Sequence, residues 1–407
     1  MAVTVLCECS VIDGAVPGRI FDDGAVAISG ERILAVGDRT TVMKEVGRDP
    51  VAVVTLDGQF VVPGLWDAHI HLGAVVPPHE ERYAGESEGQ HMIRCLRKAQ
   101  DNLRCGITSL RSLGERFGAD LTIRDAIEAG TIEGPRIFAS GDVMWSRYAA
   151  GTDEFRRMTR RMIQAGVDQV KILASGGIPW RSDSITHGLC NREELAAVVE
   201  EAHRWGKPVV VHAMGDETVV MAAELGVDTI EHGFAVTEEG VSAMASCGTT
   251  FCPNLAVTEA WDPAWLAAGP FPSWFVRNAD EARRNHHRMF REAVSAGVPF
   301  IAGVDDLPEP DGPVGIERSG KTIGLVRELE LMVDNGATPA QALAAATNEV
   351  ARVVRADGWL GSLERGKLAD LVVVGSNPLE RIGALAEVRQ VWKSGQEITL
   401  RPGPGLV

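Results

Sequence analysis

The sequence lacks the features that would place the chain in a membrane or a secretion pathway. It contains no apolar run close to the roughly 18 residues of a membrane-spanning helix. Residues 1–10 have neither the basic start nor the long apolar stretch of a secretory signal. The seven cysteines are scattered, and Cys7 and Cys9 have no second pair with which to form a zinc site. We therefore expect a cytoplasmic protein with reduced thiols.

Positive charge is also scarce. Lys and Arg total 40 against 56 Asp and Glu, which gives a formal net charge of −16. So acidic a balance argues against nucleic acid as a partner and against binding to an anionic membrane surface. A small-molecule substrate is expected instead, and assembly into a homo-oligomer stays open.

The middle of the 407-residue chain alternates strand-like apolar runs with longer amphipathic segments, which is the pattern of βα units. No GxGxxG motif follows the first run, which argues against a dinucleotide-binding fold. The pattern predicts an α/β protein with a (β/α)8 TIM barrel over residues 60–356. The predicted barrel strands are 60–65, 108–113, 136–140, 169–173, 208–211, 228–230, 249–252 and 299–303.

Short strand-like runs also occur near both ends of the chain, where Gly and Asp separate them. Because similar runs occur at both ends, on either side of the barrel pattern, we predict that the two ends fold together. Residues 1–59 and 357–407 would then form one small β-sandwich domain beside the barrel. The runs are 3–6, 25–28, 33–36, 51–56, 370–375 and 388–392.

Polar side chains stand where the predicted barrel strands end, which is where catalytic groups of such barrels lie. Residues i and i+2 of an extended segment point to the same side, so His69 and His71 could chelate one ion. Imidazole and carboxylate ligands suit zinc, with manganese, cobalt or iron as alternatives. The other histidines, His91 among them, fall in loops or helices and are interpreted as non-ligands. The candidate metal ligands are His69, His71, Lys171, His212, His232 and Asp305.

Lys171 requires a separate explanation, because a cationic ammonium group beside metal ions would be repelled. Burial and nearby positive charge lower the pKa of a lysine, so Lys171 is expected to be neutral or modified. A neutral amine can add carbon dioxide to give a carbamate, whose two oxygens could bridge two metal ions. The alternative is a buried lysine paired with an acid.

Several motifs carry a family resemblance. The segment 62–71, VPGLWDAHIH, resembles the first-strand signature of the amidohydrolase superfamily, and the order HxH, Lys, His, His, Asp resembles its binuclear members. Other segments resemble the imidazolonepropionase-related branch, which includes Xaa-Pro dipeptidase-like enzymes. The resemblance covers nearly the whole chain. These segments are 123–127, 134–136, 202–208, 230–233, 366–371 and 377–379.

The resemblance implies a centre of two divalent metal ions, with zinc as the expected metal. By this resemblance, His69, His71 and Asp305 hold one ion. His212 and His232 hold the other, and carboxylated Lys171 bridges the two.

The resemblance also implies a mechanism. Two ions about 3.5–4 Å apart can share a hydroxide that attacks a carbonyl carbon. Asp305 would be the catalytic residue that accepts the hydroxide proton and passes it to the leaving amine. The expected reaction is hydrolysis of an amide-type C–N bond in an N-acyl amino acid, dipeptide, aryl amide or carbamate.

The loops after the predicted strands are rich in aromatic residues, which could line a pocket for a bulky or aromatic acyl group. Ordinary loop packing would explain them equally well. Arg147 and Arg181 could bind a substrate carboxylate, although a solvated charge is the simpler interpretation of each. Met144, Trp261 and Trp265 belong to the same aromatic and apolar set. The candidate substrate contacts are Trp145, Arg147, Tyr148, Trp180 and Met214.

Three other functions remain open. An ester, lactone or phosphotriester hydrolase could use the same two-metal centre, since only the leaving group differs. A deaminase of this superfamily typically has Glu three residues after the strand-5 histidine, where this chain has Gly215. A non-enzymatic scaffold would have lost metal ligands, whereas this chain retains the full set.

Overall fold

The computed structural model describes residues 3–47, 51–73, 85–181, 184–305, 317–318, 321–322 and 324–400. Among these residues, no helix is both long and apolar enough to cross a membrane.

The strands are numbered along the chain. They are β1 Val3–Ile12, β2 Ile20–Ser29, β3 Arg32–Asp38, β4 Val51–Thr55, β5 Phe60–Pro63, β6 Leu65–Ile70, β7 Ile107–Ser112, β8 Arg136–Ala139, β9 Met144–Trp145, β10 Val170–Leu173, β11 Val209–Gly215, β12 Thr229–Ala235, β13 Thr250–Cys252, β14 Glu317–Arg318, β15 Lys321–Thr322, β16 Leu371–Val374, β17 Val388–Lys393 and β18 Gln396–Glu397.

The α-helices are numbered in the same way. They are α1 Arg39–Val46, α2 Glu88–Arg104, α3 Ala119–Glu128, α4 Thr152–Gln164, α5 Arg192–Arg204, α6 Asp216–Glu224, α7 Glu238–Cys247, α8 Leu255–Ala260, α9 Pro263–Ala268, α10 Ser273–Arg283, α11 His286–Ser295, α12 Leu325–Asp334, α13 Pro339–Ala345 and α14 Asn348–Val353. Short 3-10 turns occupy Arg116–Gly118, Ser146–Tyr148 and Ile382–Ala386.

Strands from both ends of the chain share one eight-stranded sheet, as the runs near the termini suggest. Its order is β18-β17-β16-β5-β1-β2-β3, and β4 pairs with β1. Apolar side chains cover one face, among them Leu6, Val26 and Leu371. In a separate apolar cluster, Val42 of α1 packs with other side chains of the same strands, among them Val5 of β1. The division into a sandwich domain at 1–59 and 357–407 stays a prediction.

The middle of the chain forms two parallel sheets, ordered β6-β7-β8 and β13-β12-β11-β10-β9. Backbone hydrogen bonds continue past their ends. The amide of Asp168, just before β10, donates to Ala139 of β8. Residues 299–305 bond on one side to β13, where the Phe251 amide donates to Pro299 at 2.8 Å. On the other side they bond to β6, where the Ala68 amide donates to Ala302 at 2.9 Å.

The predicted first barrel strand, 60–65, is misplaced. Residues Phe60–Pro63 pair with β1 and β16 in the terminal sheet, and β6 begins only at Leu65. Gly64 separates the two strands. A Cβ added there would lie 2.1 Å from Thr108 Oγ1, so only glycine fits this close approach. The apolar run is continuous across two strands, and its hydrophobicity therefore gave no signal of the change of sheet.

The other predicted barrel strands coincide with β7, β8, β10, β11, β12 and β13 to within a few residues, and Phe300 forms a parallel bridge to Phe251. The largest buried cluster packs the helices against these strands, through residues such as Leu110, Ile172 and Ile230. This packing fixes the positions of the strands, and with them the polar side chains near their carboxyl ends.

Candidate metal centre

β6 carries two of the candidate ligands to its carboxyl end. His69 lies within the strand and His71 directly follows it, so their rings point to the same side, with centroids 5.5 Å apart. The Nε2 atoms of His69 and His71 lie 3.5 and 3.6 Å from one carboxylate oxygen of Asp305. The Asp305 amide also donates to the His69 carbonyl at 2.7 Å, which fixes the aspartate beside β6.

The neighbouring strands bring two further histidines to the same place. His212 lies on β11 and His232 on β12, with ring centroids 4.5 Å apart. His232 lies 4.9 Å from the His69 ring, and its Nδ1 atom is 3.9 Å from Asp305 Oδ2. The structure therefore brings together the four histidines and the aspartate that the sequence predicted at the ends of the barrel strands.

Lys171 completes the group from β10. Its side chain is 1% exposed, and among the described residues its Nζ atom has no hydrogen-bond partner. Burial lowers the pKa of Lys171 to about 8, although the charges of Glu231 and Asp305 act in the opposite direction. A pKa of about 8 makes the neutral amine accessible near neutral pH, where an ordinary lysine is almost entirely protonated.

The histidine rings are oriented by acceptors on their far sides. His69 Nδ1 lies 2.7 Å from Glu231 Oε2, His71 Nδ1 lies 2.9 Å from the Gly114 carbonyl, and His212 Nε2 lies 2.9 Å from the Gly176 carbonyl. If these nitrogens carry the protons, as the acceptors require, the opposite nitrogen of each ring presents its lone pair to the shared space. Metal-ligating histidines are normally held by such contacts.

Burial is the main reason that these histidines are neutral. It lowers the pKa of His212 to about 3, with Lys171 adding to the effect. Burial followed by Lys171 lowers the pKa of His69 well below its usual value, and burial followed by His212 does so for His232. Burial also lowers the pKa of His71, against the influence of Glu115. Neutral imidazole is the form that binds a metal.

Behind His69, a buried ion pair holds Glu231 in place. Arg111 Nη2 donates to Glu231 Oε1 at 2.7 Å, and both side chains are at most 1% exposed. Burial raises the pKa of Glu231, but the charges of Arg111 and Lys171 and a hydrogen bond from Thr229 outweigh it, so the pKa is lowered. Glu231 is therefore an anionic acceptor for His69.

Two of the candidate ligands have a left-handed backbone. His232 has a φ of 77° and Asp305 a φ of 51°, a conformation that non-glycine residues adopt at some cost. Such outliers persist where surrounding contacts hold them, and they cluster at functional sites.

These residues fit a metal centre on their own chemistry. The donors are neutral imidazoles and a carboxylate, and the Nδ1 atom of His232 is buried without a hydrogen-bond partner among the described residues, as is Lys171 Nζ. His69, His232 and Asp305 offer ligand atoms that lie within 4.8 Å of one another. Unpaired buried donors facing one point are expected where an ion would satisfy them.

The ligands open into a cavity of about 250 Å³. Trp145, Trp180, Met214 and Trp261, all predicted pocket residues, are among its lining. The Trp180 ring lies 5.3 Å from His212 and 5.1 Å from Trp145. The remaining apolar lining residues, which the sequence did not single out, are Leu113, Val143, Leu173, Ile178, Pro179, Phe234 and Val257.

The remaining predicted contacts and pocket residues are not among the described lining of this cavity. Tyr148 is 77% exposed and is absent from the described lining, although its ring is 6.3 Å from Trp145. The side chain of Arg147 lies outside the described residues, and Arg181 is exposed. Met144 lines a different cavity, and Trp265 packs on Phe271.

Sequence reasoning missed Arg111 and Glu231. Both are charged residues inside strands that are almost entirely buried, where a charge is expected only if it is paired. That signal could have identified the two as partners of each other, although not as the support for His69.

Comparison with known proteins gives the class. A family model described as the amidohydrolase family matches residues 60–398. The chain belongs to the amidohydrolase family, and it is an enzyme.

Individual relatives refine that class. The chain is 28% identical to ochratoxinase from Aspergillus niger, over 99% of this chain and 88% of the relative. It is 25% identical to imidazolonepropionase from Symbiobacterium thermophilum, over 87% and 84% of the two chains. A crystal structure of a Xaa-Pro dipeptidase with bound methionine in its active site superposes with a TM-score of 0.84, at 26% identity over 97% and 99% of the chains. The expected resemblance to the imidazolonepropionase-related and dipeptidase-like branch is confirmed.

Proposed function

We propose that this protein is a binuclear metal-dependent hydrolase of an amide-type C–N bond. One observation carries the proposal. Neutral histidines, an aspartate and a buried lysine without a hydrogen-bond partner among the described residues converge on one cavity from the ends of different strands. The relatives named ochratoxinase, imidazolonepropionase and Xaa-Pro dipeptidase support a hydrolytic reaction.

Two divalent ions, zinc in the first instance, would be held by the strand-end ligands. His69, His71 and Asp305 would hold one ion, since they share contacts around Asp305 Oδ1. His212 and His232, whose rings are adjacent, would hold the other. The neutral amine of Lys171 would add carbon dioxide and release one proton, giving a carbamate that bridges the two ions. Burial, which disfavours the ammonium form, supports this modification.

When bound, the two ions supply Lewis-acid polarisation of a carbonyl and lower the pKa of water toward neutrality. The chain supplies the rest of the mechanism. Asp305 accepts the proton of the attacking water at a carboxylate oxygen and delivers it to the departing nitrogen. Glu231 keeps His69 in the ligating orientation, and the aromatic residues around His212 exclude bulk water.

The cavity favours a small molecule with a bulky apolar or aromatic acyl group. Tryptophans and aliphatic side chains form most of its lining. Among the lining residues that the structure describes, Lys171 is the only basic side chain besides the histidines. Apolar burial would therefore contribute most of the binding energy, with few ionic contacts to the acyl group.

We further propose that the two parallel sheets are parts of one closed (β/α)8 barrel. The hydrogen bonds of residues 299–305 to β13 and β6, and that between Asp168 and Ala139, support closure. The terminal eight-stranded sheet would be the accompanying β-sandwich domain.

The first experiment is elemental analysis of the purified protein, followed by a screen of N-acyl amino acids, dipeptides, aryl amides and aryl esters. We expect transition metal at two ions per chain or more and chelator-sensitive cleavage of amides with aromatic acyl groups. Fewer than two ions per chain would contradict the binuclear centre. If the protein cleaves esters but no amides, the proposed function changes from amide hydrolysis to ester hydrolysis.

A further inference from the structure

A second buried group of metal-ligating side chains lies behind His71. We name it the helix cluster and define it as His91, Cys95 and Glu115. His91 and Cys95 are one turn apart on α2, so both face the same side of the helix. Glu115 follows β7 and points toward that face. The exposed fractions of the three residues are 0%, 0% and 4%.

The ligand atoms of the helix cluster are spaced like those around one small ion. His91 Nε2 lies 3.4 Å and Cys95 Sγ 3.8 Å from Glu115 Oε2, and all three ligand atoms lie within 4.8 Å of one another. Around a tetrahedral zinc ion, bonds of about 2.0 Å to N and O and about 2.3 Å to S separate the ligand atoms by about 3.3–3.6 Å. The two distances to Glu115 Oε2 agree with that range to within a few tenths of an ångström.

His91 is oriented as a metal ligand would be. Its Nδ1 atom lies 3.2 Å from Glu86 Oε2 and 3.1 Å from Arg94 Nη2, which donates to the same glutamate oxygen at 2.6 Å. The Nε2 atom of His91 points to Glu115 and has no hydrogen-bond partner among the described residues. With its proton on Nδ1, the ring directs a lone pair at a carboxylate oxygen, which is unfavourable unless a cation lies between them.

The backbone of Gly73 packs directly against the helix cluster. A Cβ added at Gly73 would lie 2.5 Å from His91 Cε1 and 2.6 Å from Cys95 Sγ, so a larger residue would enter the cluster. The Gly73 amide donates to both Glu115 oxygens, at 3.1 and 3.0 Å. Arg94 donates to the Gly73 carbonyl at 2.6 Å, which holds the glycine in place.

We propose that the helix cluster binds a divalent ion of the zinc class through His91 Nε2, Cys95 Sγ and the Glu115 carboxylate. Binding releases the thiol proton of Cys95 to solvent and involves no change of oxidation state. The charges then balance, because the ion and Arg94 together offset Cys95, Glu115 and Glu86. Nitrogen and sulfur donors with one carboxylate match the preference of zinc over calcium or magnesium.

The ion would have a structural role. Glu115 directly follows Gly114, whose carbonyl lies 2.9 Å from His71 Nδ1. Fixing Glu115 therefore fixes the acceptor that orients His71. This inference goes beyond the hydrolase proposal and does not depend on it.

Cobalt substitution tests the helix cluster directly, because thiolate-bound Co²⁺ has a near-ultraviolet charge-transfer band. We would load the chelator-stripped full-length protein with Co²⁺ and compare wild type with Cys95→Ser. Wild type is expected to bind one more ion per chain than Cys95→Ser, and only wild type should show the band. His91→Gln should also lose the extra ion. If Cys95→Ser does not fold, a cobalt titration of wild type still decides, since the band should saturate at one thiolate-bound ion per chain.

Cys252→Ser is the matched control, because Cys252 is also buried, beside His69 and Glu231. It should keep the band. Loss of the band in Cys252→Ser rather than in Cys95→Ser would overturn the proposal. Absence of the band in wild type would also overturn it and would mean that a proton, not a metal ion, joins His91 to Glu115.

Failure of the hydrolase proposal would give a different result, because Cys95→Ser would then bind no pair of ions at the strand-end ligands.

Discussion

His69 and His91 are supported in the same way but face different surroundings. The Nδ1 atom of each points to a glutamate, and each glutamate is paired with an arginine: Arg111 for Glu231, and Arg94 for Glu86. The Nε2 atom of His69 faces the cavity of about 250 Å³, whereas Gly73 closes the space before His91.

This comparison separates what holds a ligand from what the ligand does. Catalytic metal sites keep a position open for water or substrate, while structural sites are closed. The Arg–Glu–His support is common to both regions, so it cannot by itself indicate catalysis. Access from the cavity is the difference between the two regions.

The largest effect is expected from Lys171→Ala, which removes the only proposed bridge at the open site. We expect kcat/KM to fall by roughly 10⁴-fold or more, equal to about 5 kcal/mol of transition-state stabilisation. Elemental analysis should show loss of an ion, and short carboxylic acids should partly restore activity by replacing the carbamate. Unchanged metal content in the folded variant would remove the carbamate from the mechanism.

Asp305→Asn should separate metal binding from proton transfer. The amide keeps one oxygen for the metal but cannot accept a proton, so most of the bound metal should remain. Turnover should fall by roughly 10²–10⁴-fold, the range for loss of a general acid–base group. Kinetics and metal content are measured on the same preparation. Normal turnover would leave Asp305 as a ligand only.

Much of the open site could be predicted from the sequence, since its ligands lie toward the carboxyl ends of the predicted barrel strands. His212 and His232 come just after two predicted strands, although β11 and β12 themselves continue to Gly215 and Ala235, and parallel strands place their carboxyl ends at one edge. The geometry of Asp305 could not be predicted, because its left-handed backbone depends on contacts with β6 that are remote in sequence.

The helix cluster was not predicted, and His91 was interpreted as a non-ligand because it lies in a helix. The four-residue spacing of His91 and Cys95 is a signal in the sequence, but the third donor, Glu115, is supplied by a different segment. The position of β5 could not be predicted for the same reason, since it depends on contacts with distant segments.

An unbroken apolar run does not show that its first residues join the terminal sheet and its later residues the barrel strands.

Glu231→Gln and Glu86→Gln form a matched pair that tests the shared support. Loss of a partner behind a metal ligand typically costs about 10–100-fold in metal affinity or activity. Glu231→Gln should show this loss in kcat/KM and in retention of the catalytic ions during dialysis. Glu86→Gln should weaken the extra cobalt ion but lower kcat/KM by less than Glu231→Gln does, because the helix cluster acts on His71 only through Glu115 and the Gly114 carbonyl. Equal loss of activity in both variants would contradict the distinction between the open and closed sites.

The smallest effect on activity is expected at Glu328, a buried carboxylate on α12 that accepts hydrogen bonds from the Leu255 and Ala256 amides and, among its described contacts, has no arginine. Burial raises the pKa of Glu328 to about 8, from 4.5 for an ordinary glutamate, whereas Arg111 helps to lower that of Glu231. The folded state thus binds a proton that the unfolded state releases. Its stabilising contribution is complete below about pH 4.5 and is lost as the pH rises through 8.

Glu328→Gln removes this titration. As the pH rises from 5 to 8, the free energy of unfolding of wild type should fall relative to that of the variant by about 1 kcal/mol per pH unit. Urea unfolding of both proteins at each pH measures it, and effects of metal binding cancel in the difference. A constant difference across this range would mean that Glu328 is ionised in the folded protein, and that a buried carboxylate here needs no arginine to keep its charge.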